Sequence, residues 1–321
     1  MKRGKHTLDQ ILVEAPGSSA NLGPGFDVFA LAFESPTDRV KLTAGKSGPP
    51  FVKMAKVTGL GVPKSSSDNA AAVVAYVMAK ELGVEREILL QLDKQVPIGR
   101  GMGSSGASAA AAAFAMNELF DLGLSADEMI YYAGMGEGAT SGSRHYDNVS
   151  ASVLGGFVVV KPGERPSAVR YDPPQRLAVC VATPIMEVPK RKTEYARSLL
   201  PSTVPMASFV ANLSNATMMV VGMANKDISL IGRGMVDKIV EPARKKMIPG
   251  YDSVRSMAIE AGAEGVCISG AGPSMLAIVD KKKNDPKKVL KAMTAGFKEG
   301  GVSSRGYVTR VGEGARVVKG S

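Results

Sequence analysis

A glycine- and serine-rich segment, residues 97–108, stands directly before a predicted helix. Glycines at four of its positions remove side chains where a backbone must approach another group closely. Ser104 and Ser105 lie where the helix should begin, and the first-turn N–H groups of a helix lack intrahelical partners and carry the positive end of its dipole. Such a terminus is suited to binding phosphate. The segment therefore predicts a phosphate-binding loop.

The loop differs from two common nucleotide-binding motifs. A Walker A loop requires Gly-Lys-Ser/Thr, and this segment contains no lysine. Gly101 to Gly106 matches the dinucleotide-binding pattern G-x-G-x-x-G, but the preceding residues 93–97 are polar and end in proline, and no acidic residue ends a following strand. A glycine-rich turn without a ligand is the remaining alternative, and the length of the glycine–serine run favours phosphate over it.

The elements that must position this loop are a mixture of strands and helices. In the first half, partial alternation of apolar and polar residues predicts strands over residues 11–15, 27–33, 39–43, 51–57, 88–92 and 156–160. Helices are predicted over residues 69–82, with Asp68 as the N-cap, over 104–120, and from 125 to about 134.

The second half continues the mixture. Strands are predicted over residues 177–182, 265–269, 275–280 and 305–310, and helices over 193–199, 204–224, 227–240, 253–261 and 285–300. Because the strands and helices do not alternate strictly, the predicted fold class is α+β. The proline- and glycine-rich residues 162–174 mark a predicted boundary between a domain of residues 1–165 and a domain of residues 166–321.

Composition excludes several classes of protein. A hydrophobic fraction of 45% excludes disorder. The net charge of +10 would suit a polyanion, but only 5% of residues are aromatic and the basic residues are scattered, which argues against nucleic acid. Two cysteines without metal spacing predict neither a disulfide framework nor an oxidising compartment. With no signal peptide and no membrane span predicted, we expect a soluble, cytoplasmic protein that binds neither nucleic acid nor membrane.

Three segments resemble, in order, the motifs of one family. Residues 97–110 resemble the second motif of the GHMP kinases, small-molecule kinases named for galactokinase, homoserine kinase, mevalonate kinase and phosphomevalonate kinase. Residues 15–27 resemble the first motif and residues 268–274 the third. The forms of residues 19–27, 137–154 and 241–251 are similar to the homoserine kinase branch of this family.

The resemblance implies a two-domain α+β GHMP kinase fold. Its N-terminal, ATP-binding domain would resemble the second domain of ribosomal protein S5, and its C-terminal domain would be ferredoxin-like. The implied cofactors are ATP and Mg²⁺, with Ser105 and Glu137 on the metal, which suits an ion that takes one or two protein oxygens. Asn148, the third implied catalytic residue, would lie near the hydroxyl to be phosphorylated. The implied nucleotide contacts are Asn69, Lys94, Pro97, Gly99, Arg100, Gly101, Met102, Gly103, Ser104, Ser105 and Gly106.

For the acceptor, the resemblance implies L-homoserine, converted with ATP to O-phospho-L-homoserine in threonine biosynthesis. Asp27 would bind the ammonium, and Arg197 and Arg244 the carboxylate, because a guanidinium fork binds carboxylate bidentately. The remaining implied substrate contacts are Asn21, Thr193 and His145. Taken alone, Asn21 is more typical of a turn and the two arginines of a solvated helix face.

No general base is assigned, because His145 is interpreted as a substrate contact and an aspartate–lysine pair used by some relatives has no clear counterpart. Two alternatives stay open: another GHMP kinase, such as the archaeal-type shikimate kinase, and a GHMP-fold sensor that binds ligand without turnover. The two arginines favour an amino-acid carboxylate, and the presence of both Ser105 and Glu137 favours turnover. A homodimer is considered, and the sequence does not decide it.

Overall fold

The protein is described here from a computed structural model, which covers residues 9–142, 144–189 and 191–318. Within them, the strands are β1 (Gln10–Asn21), β2 (Gly25–Ser47), β3 (Phe51–Thr58), β4 (Arg86–Asp93), β5 (Phe157–Lys161), β6 (Ser167–Tyr171), β7 (Leu177–Pro184), β8 (Gly265–Ile268), β9 (Met275–Asp280), β10 (Ser304–Thr309) and β11 (Arg316–Val317). The α-helices are α1 (Ala70–Glu81), α2 (Ser104–Phe120), α3 (Ala126–Ser141), α4 (Tyr146–Leu154), α5 (Lys192–Ser198), α6 (Met206–Ala224), α7 (Ile228–Gly234), α8 (Val240–Arg244), α9 (Tyr251–Glu260) and α10 (Pro286–Glu299).

The first sheet has seven strands, in the order β11-β1-β2-β4-β3, with β5 paired to β2 and β6 to β5. Its longest strand, β2, was predicted as two strands. It is one strand because the intervening residues keep pairing with β1, as in the register Asp38 with Ala15. Helix α2 packs on this sheet, and Ala109 to Ala113 are all fully buried, since such small side chains let the helix lie close. The sheet therefore holds the N-terminus of α2 in a fixed place.

The second sheet has four antiparallel strands in the order β10-β7-β9-β8. With the intervening helices, this is the order of a ferredoxin-like β-α-β-β-α-β unit. Strand β9 is buried at every position, because α9 and α10 cover one face of the sheet and a second core covers the other. That second core is shared with the first sheet, since Phe33 and Phe157 cluster there with Val179 and Leu276. The two sheets therefore pack directly on each other.

Helix α3 is longer than predicted and α4 was missed, and both differences have a packing cause. Helix α3 runs through three glycines, and a Cβ at Gly134 or Gly136 would collide with the side chains of Tyr146 or Val74. The glycines are therefore sites of close packing and do not end the helix. Helix α4 is buried on almost all sides, so its sequence lacks the one-sided apolar pattern by which helices are recognised.

The helix predicted over residues 227–240 is interrupted. Helix α7 ends at Gly234, and α8 starts at Val240 after a turn held by the buried side chain of Asp237. The Asp237 carboxylate accepts hydrogen bonds from the N–H groups of Ile239, Val240 and Glu241, at 2.7–3.1 Å. An aspartate that caps a new helix in this way competes with continuation of the first one.

The predicted boundary between residues 165 and 166 stays a prediction. Strands β6 and β11 both follow residue 165, and both belong to the first sheet. The extreme ends of the two predicted domains, residues 1–8 and 319–321, lie outside the described residues.

The N-cap of α1 is Asn69, whereas the sequence predicted Asp68. The Asn69 side-chain oxygen accepts hydrogen bonds from the N–H groups of Ala71 and Ala72, at 3.1 and 3.4 Å, and its amide donates to the carbonyl of Pro63. Asp68 ends a preceding 3-10 helix and is exposed.

We expect Asn69→Ala to lower the free energy of unfolding by about 1 kcal/mol, because the N-cap of α1 is lost and this helix is buried in the core beside the first sheet. The matched control Asp68→Ala should stay within about 0.5 kcal/mol of the wild type. Urea unfolding without nucleotide measures both, and equal losses in the two variants would contradict this capping assignment.

Candidate active site

The three sequence motifs meet at the glycine loop between β4 and α2. Gly99, Gly101 and Gly103 all have positive φ angles, of 72°, 77° and 63°. A Cβ at Gly101 would collide with the carbonyl oxygen of Ser269, and a Cβ at Gly103 with the hydroxyl of Ser18. Glycine is therefore required at both positions by backbone conformation and by close approach.

Hydrogen bonds join these segments directly. The Ser269 hydroxyl, in the turn between β8 and β9, donates to the carbonyl of Gly101 at 2.7 Å. The N–H of Ser18, on β1, donates to the carbonyl of Met102 at 3.0 Å. The N–H of Gly270 also bonds to the carbonyl of Ala20 at 3.2 Å. The loop is thus held by the first sheet on one side and by the second on the other.

The N-terminus of α2 faces a carboxylate on α3. The Ser105 hydroxyl donates to Glu137 Oε1 at 3.1 Å, and Glu137 is buried. The Ser104 hydroxyl instead donates to the carbonyl of Val96 at 2.8 Å, so this side chain holds the loop. A hydroxyl and a carboxylate beside a phosphate-binding helix terminus are oxygen ligands of the kind that Mg²⁺ uses together with nucleotide phosphates. The pair therefore fits a Mg²⁺ ion that also binds phosphate.

The described residues contain no cluster of three or more acidic, histidine or cysteine side chains that would form a metal site by themselves. A metal at Ser105 and Glu137 would therefore need further ligands from phosphate and water, which is the usual situation of Mg²⁺ in kinases.

A buried ion pair between Lys94 and Asp38 supports the glycine loop at the start of α2. The Lys94 ammonium is bonded to Asp38, to the carbonyl of Ser104 and, at 2.7 Å, to the hydroxyl of Ser108. The other oxygen of Asp38 accepts from the N–H groups of Gln95 and Val96. Burial lowers the pKa of Lys94 from its usual value, and Asp38 opposes that shift. In this structure Lys94 serves the loop and the start of α2, and its bonds are internal.

These elements surround a cavity of about 720 Å³. All the site residues predicted from the sequence line it except three, which are Pro97, Arg100 and Gly106. The Arg100 guanidinium turns away, to the carbonyls of Pro184 and Met186. Gly106 packs against Asn148, where an added Cβ would lie 3.2 Å from the Asn148 Cβ.

At one end of the cavity, two arginines share an aromatic ring. The guanidinium carbons of Arg197, on α5, and Arg244, on α8, each lie 5.2 Å from the ring centroid of Phe26. Arg197 also donates to both carboxylate oxygens of Asp27, at 2.8 and 2.9 Å. The ring attracts both cations and keeps them on the same side of the cavity as the Asp27 carboxylate.

Arg244 is buried and is held by main-chain carbonyls. Its Nε donates to the carbonyl of Ala196 at 3.1 Å, and its Nη1 lies 3.5 Å from that of Gly270. Burial lowers the pKa of Arg244 to about 10, and the nearby Arg197 adds to this shift. A cation held in this way gains most from an anionic ligand.

Asn21 and Asn148 are both held in place by hydrogen bonds of their own. Asn21, with a φ of 70°, donates to the carbonyl of Gly270 at 2.8 Å and accepts from the N–H of Asp27 at 3.1 Å. Asn148 accepts from the Ser18 hydroxyl at 3.0 Å and donates to Asp147 at 3.3 Å. Both side chains are therefore pre-positioned at the cavity wall.

His145 and Asp147 belong to a charged network in the cavity wall. His145 Nδ1 lies 3.7 Å from Glu137 Oε1, and Arg197 Nε lies 3.4 Å from His145 Nε2. Burial opposes the charged form of His145, but Glu137 and Asp147 together favour it, so the pKa of the imidazole is raised. Burial raises the pKa of Asp147 to about 7, and the Asp27 carboxylate adds to this shift.

Behind Arg244, Glu241 joins α8 to the second sheet. Its carboxyl accepts from the Tyr251 hydroxyl at 2.8 Å and from the N–H of Ile268, the last residue of β8. Burial raises the pKa of Glu241 from 4.5 to about 7, and those hydrogen bonds oppose the shift. This carboxyl fixes the helix that carries Arg244 relative to the turn at Gly270.

Several residues of the cavity were missed from the sequence. Phe26 precedes Asp27 in the first motif, so its position next to a predicted substrate contact could have identified it as a site residue. Asp147 stands between His145 and Asn148, which were both predicted as site residues, so its position could also have identified it. Lys192, which is buried in the cavity wall, has no signal in the sequence except that it precedes Thr193.

A phosphate loop at a helix terminus, a carboxylate facing it and a polar acceptor pocket in one cavity define a small-molecule kinase. The family described as GHMP kinases N terminal domain matches residues 69–156, and that described as GHMP kinases C terminal matches residues 219–299. A homoserine kinase of Thermoplasma volcanium is 39% identical over 309 residues, which cover 96% of this chain and 97% of that protein. A homoserine kinase of Natronomonas pharaonis is 39% identical over 310 residues, or 96% and 99% of the two chains.

Among solved structures, that of a homoserine kinase from Cytophaga hutchinsonii matches with a TM-score of 0.89 and 36% identity, over 98% of this chain and 99% of that one. The chain belongs to the GHMP kinase family, and within it to the homoserine kinases. The predicted family and the predicted two-domain α+β GHMP kinase fold are confirmed.

We expect the stability of the protein to depend on pH through Glu241. Because the pKa of this carboxyl is raised in the folded state, the folded protein binds the extra proton, and its contribution is full below about pH 4.5 and lost as the pH rises through about 7. The loss should be on the order of 3 kcal/mol. Urea unfolding from about pH 5 to pH 8 measures it, and the neutral Glu241→Gln should lack this component. Parallel pH profiles for wild type and variant would contradict this assignment.

Proposed function

We propose that the protein transfers the terminal phosphoryl group of ATP to the side-chain hydroxyl of L-homoserine, giving ADP and O-phospho-L-homoserine in threonine biosynthesis. One observation carries the proposal: a subsite with two arginines and an aspartate opens into the same cavity as the phosphate loop. The subsite has the charges of an amino acid's carboxylate and ammonium, and the loop has the geometry for ATP. Two relatives that match this chain over nearly its full length, from Thermoplasma volcanium and Natronomonas pharaonis, are homoserine kinases.

The acceptor would be held at both charged groups of its amino-acid end. Its carboxylate would bind between Arg197 and Arg244, and its ammonium would bind Asp27, which is now paired with Arg197. Asn21 and Thr193, which line the same part of the cavity, would complete the contacts. Shikimate offers a carboxylate but no ammonium, so Asp27 favours an amino acid over that alternative acceptor.

The nucleotide phosphates would bind the N–H groups of the loop and of the first turn of α2. Asn69, Gly99, Gly101, Gly103 and Ser104 line this side of the cavity. We propose Ser105 and Glu137 as the ligands of Mg²⁺, which supplies neutralisation of charge on the transferred group. These chain atoms hold and orient the phosphates on the side of the cavity that faces the acceptor.

Asn148 would position the attacking hydroxyl. Its amide is fixed from both sides, by Ser18 and by Asp147, so it presents a constant geometry to the acceptor. A loose phosphoryl-transfer transition state needs little activation of the nucleophile, so positioning supplies much of the rate. His145 lies between Glu137 and Arg197. We propose that it orients the acceptor and that no single side chain abstracts the proton of the attacking hydroxyl.

We propose a cytoplasmic enzyme with a small-molecule substrate and no nucleic-acid or membrane partner. Helix α6 is apolar and long enough to cross a membrane by length and composition alone, and 22% of its apolar window is buried in the structure. Its face at Met206, Phe209, Val210 and Leu213 is exposed and carries no charge, and we propose a homodimer in which a second copy covers this face.

We expect release of ADP from ATP and Mg²⁺ to require homoserine. A coupled ADP assay with homoserine, shikimate, mevalonate and galactose as separate acceptors measures this requirement. Equal activity with shikimate, or no activity with homoserine, would show that the acceptor is wrongly assigned. Binding of homoserine without any release of ADP would instead favour a sensor.

We expect Glu137→Gln to lower kcat by about 10²-fold or more, because charge compensation at the metal costs several kcal/mol when it is lost. The matched control is Glu118→Gln, an exposed carboxylate near the other end of α2 that should leave kcat unchanged. Both are measured at saturating Mg²⁺, with the fold checked by circular dichroism. An unchanged kcat in Glu137→Gln would remove this residue from the metal site.

A further inference from the structure

Lys192 is a buried cation that the proposed mechanism does not yet use. It begins α5, is 8% exposed, and lines the cavity. Its ammonium donates to the carbonyl of Gly272, and none of the ion pairs formed by the described residues includes it. The other buried lysine of the site, Lys94, is paired with Asp38. A buried ammonium without a carboxylate is costly, so this position is suited to an anion that comes from outside the chain.

The charged surroundings of Lys192 are positive. Arg244 on α8 and Arg100 in the glycine loop are the charged groups that act on it, and both disfavour its charged form. Burial is the larger effect, and together these lower the pKa of Lys192 to about 7. On α5 itself, Glu194 and Arg197 line the same cavity, together with the preceding Arg191. Near neutral pH the Lys192 side chain is therefore only partly protonated, and a negative charge beside it would favour the ammonium form.

The position of Lys192 indicates which anion this is. Lys192 and Arg244 contact carbonyls of the same turn, those of Gly272 and Gly270. Arg244 already belongs to the acceptor end of the cavity, where it shares Phe26 with Arg197. The Ser105–Glu137 pair, which marks the transferred phosphoryl group, lies on α2 and α3. Lys192 thus lies against the turn that Arg244 also contacts, and the glycine loop adjoins this turn at Gly101.

We propose that Lys192 is a third cation of the acceptor's carboxylate subsite, beside Arg197 and Arg244, and that it takes up a proton from solvent when the acceptor binds. The proton adds to the free amine and forms an ammonium, which pairs with the incoming carboxylate. The proposal rests on the proposed function, because it takes homoserine as the acceptor. At pH values above 7 the affinity for homoserine should therefore fall as the pH rises.

Calorimetric titration of homoserine into the ADP complex at about pH 8, in HEPES and in Tris buffer, measures the proton uptake. We expect uptake approaching one proton per bound homoserine for the wild type, and most of it should be lost in Lys192→Met. Because homoserine's own ammonium titrates equally with both enzymes, the difference between them reports Lys192. Lys245→Met, at an exposed lysine, is the matched control and should behave as the wild type.

Steady-state kinetics separates the roles of Lys192. We expect Lys192→Met to raise KM for homoserine about 10- to 100-fold with little change in kcat. Lys192→Arg, which stays charged at all working pH values, should recover a low KM without proton uptake. A loss of kcat at unchanged KM would overturn the proposal and assign Lys192 to the phosphoryl group, since the turn at Gly272 also adjoins Gly101.

Unchanged proton uptake in Lys192→Met would also overturn the proposal, because another group in the cavity would then be titrating. These outcomes differ from failure of the proposed function. If the wild type releases no ADP with homoserine, the acceptor is wrong. If the wild type is active and Lys192→Met matches it in KM and in proton uptake, only the role of Lys192 is wrong.

Discussion

The phosphate loop has its conformation because two sheets close on it from opposite sides. Gly101 adjoins the carbonyls of Ser269 and Gly272 so closely that no side chain fits between them, and the Ser269 hydroxyl bonds back to the Gly101 carbonyl. Ser18 makes the corresponding contact from the first sheet, at Gly103 and Met102. The shared core of Phe33, Phe157 and their neighbours keeps the sheets at this spacing. The N–H groups of the loop are thereby aimed before any ligand arrives, which reduces the ordering cost of binding.

The charges of the site are arranged around the same contact. Two charged groups near the loop have compensating partners within the chain, since the buried Lys94 is paired with Asp38 and the partly exposed Arg197 is paired with Asp27. At the acceptor end, positive charge accumulates on Arg244 and Lys192, and their lowered pKa values reflect burial among like charges. This end of the cavity therefore carries excess positive charge, which a ligand carboxylate would balance while a ligand ammonium could pair with Asp27.

Much of this structure was predictable from the sequence, for physical reasons. The glycine loop and the helix at Ser104–Phe120 were predicted because their composition permits few alternatives, and the family motifs located most of the residues that line the cavity. The helix α4 was missed because burial on nearly all sides removes amphipathic periodicity. Asp237 interrupts a predicted helix by capping the next one, which local propensity does not reveal. Lys192 acquires meaning only from long-range packing, since a lysine early in a short helix is usually solvated.

The contact between Gly101 and the turn at Ser269 also limits how the gene could be recombined. A segment boundary placed anywhere between these two residues would join a loop from one parent to a turn from another. If the turns of the two parents followed backbone paths that differ by a few tenths of an ångström, the loop and the turn would clash. Because Gly101 has no side chain, no smaller residue could relieve that contact. Natural exchange between distant relatives should therefore preserve the two segments together, although they lie 168 positions apart in the chain.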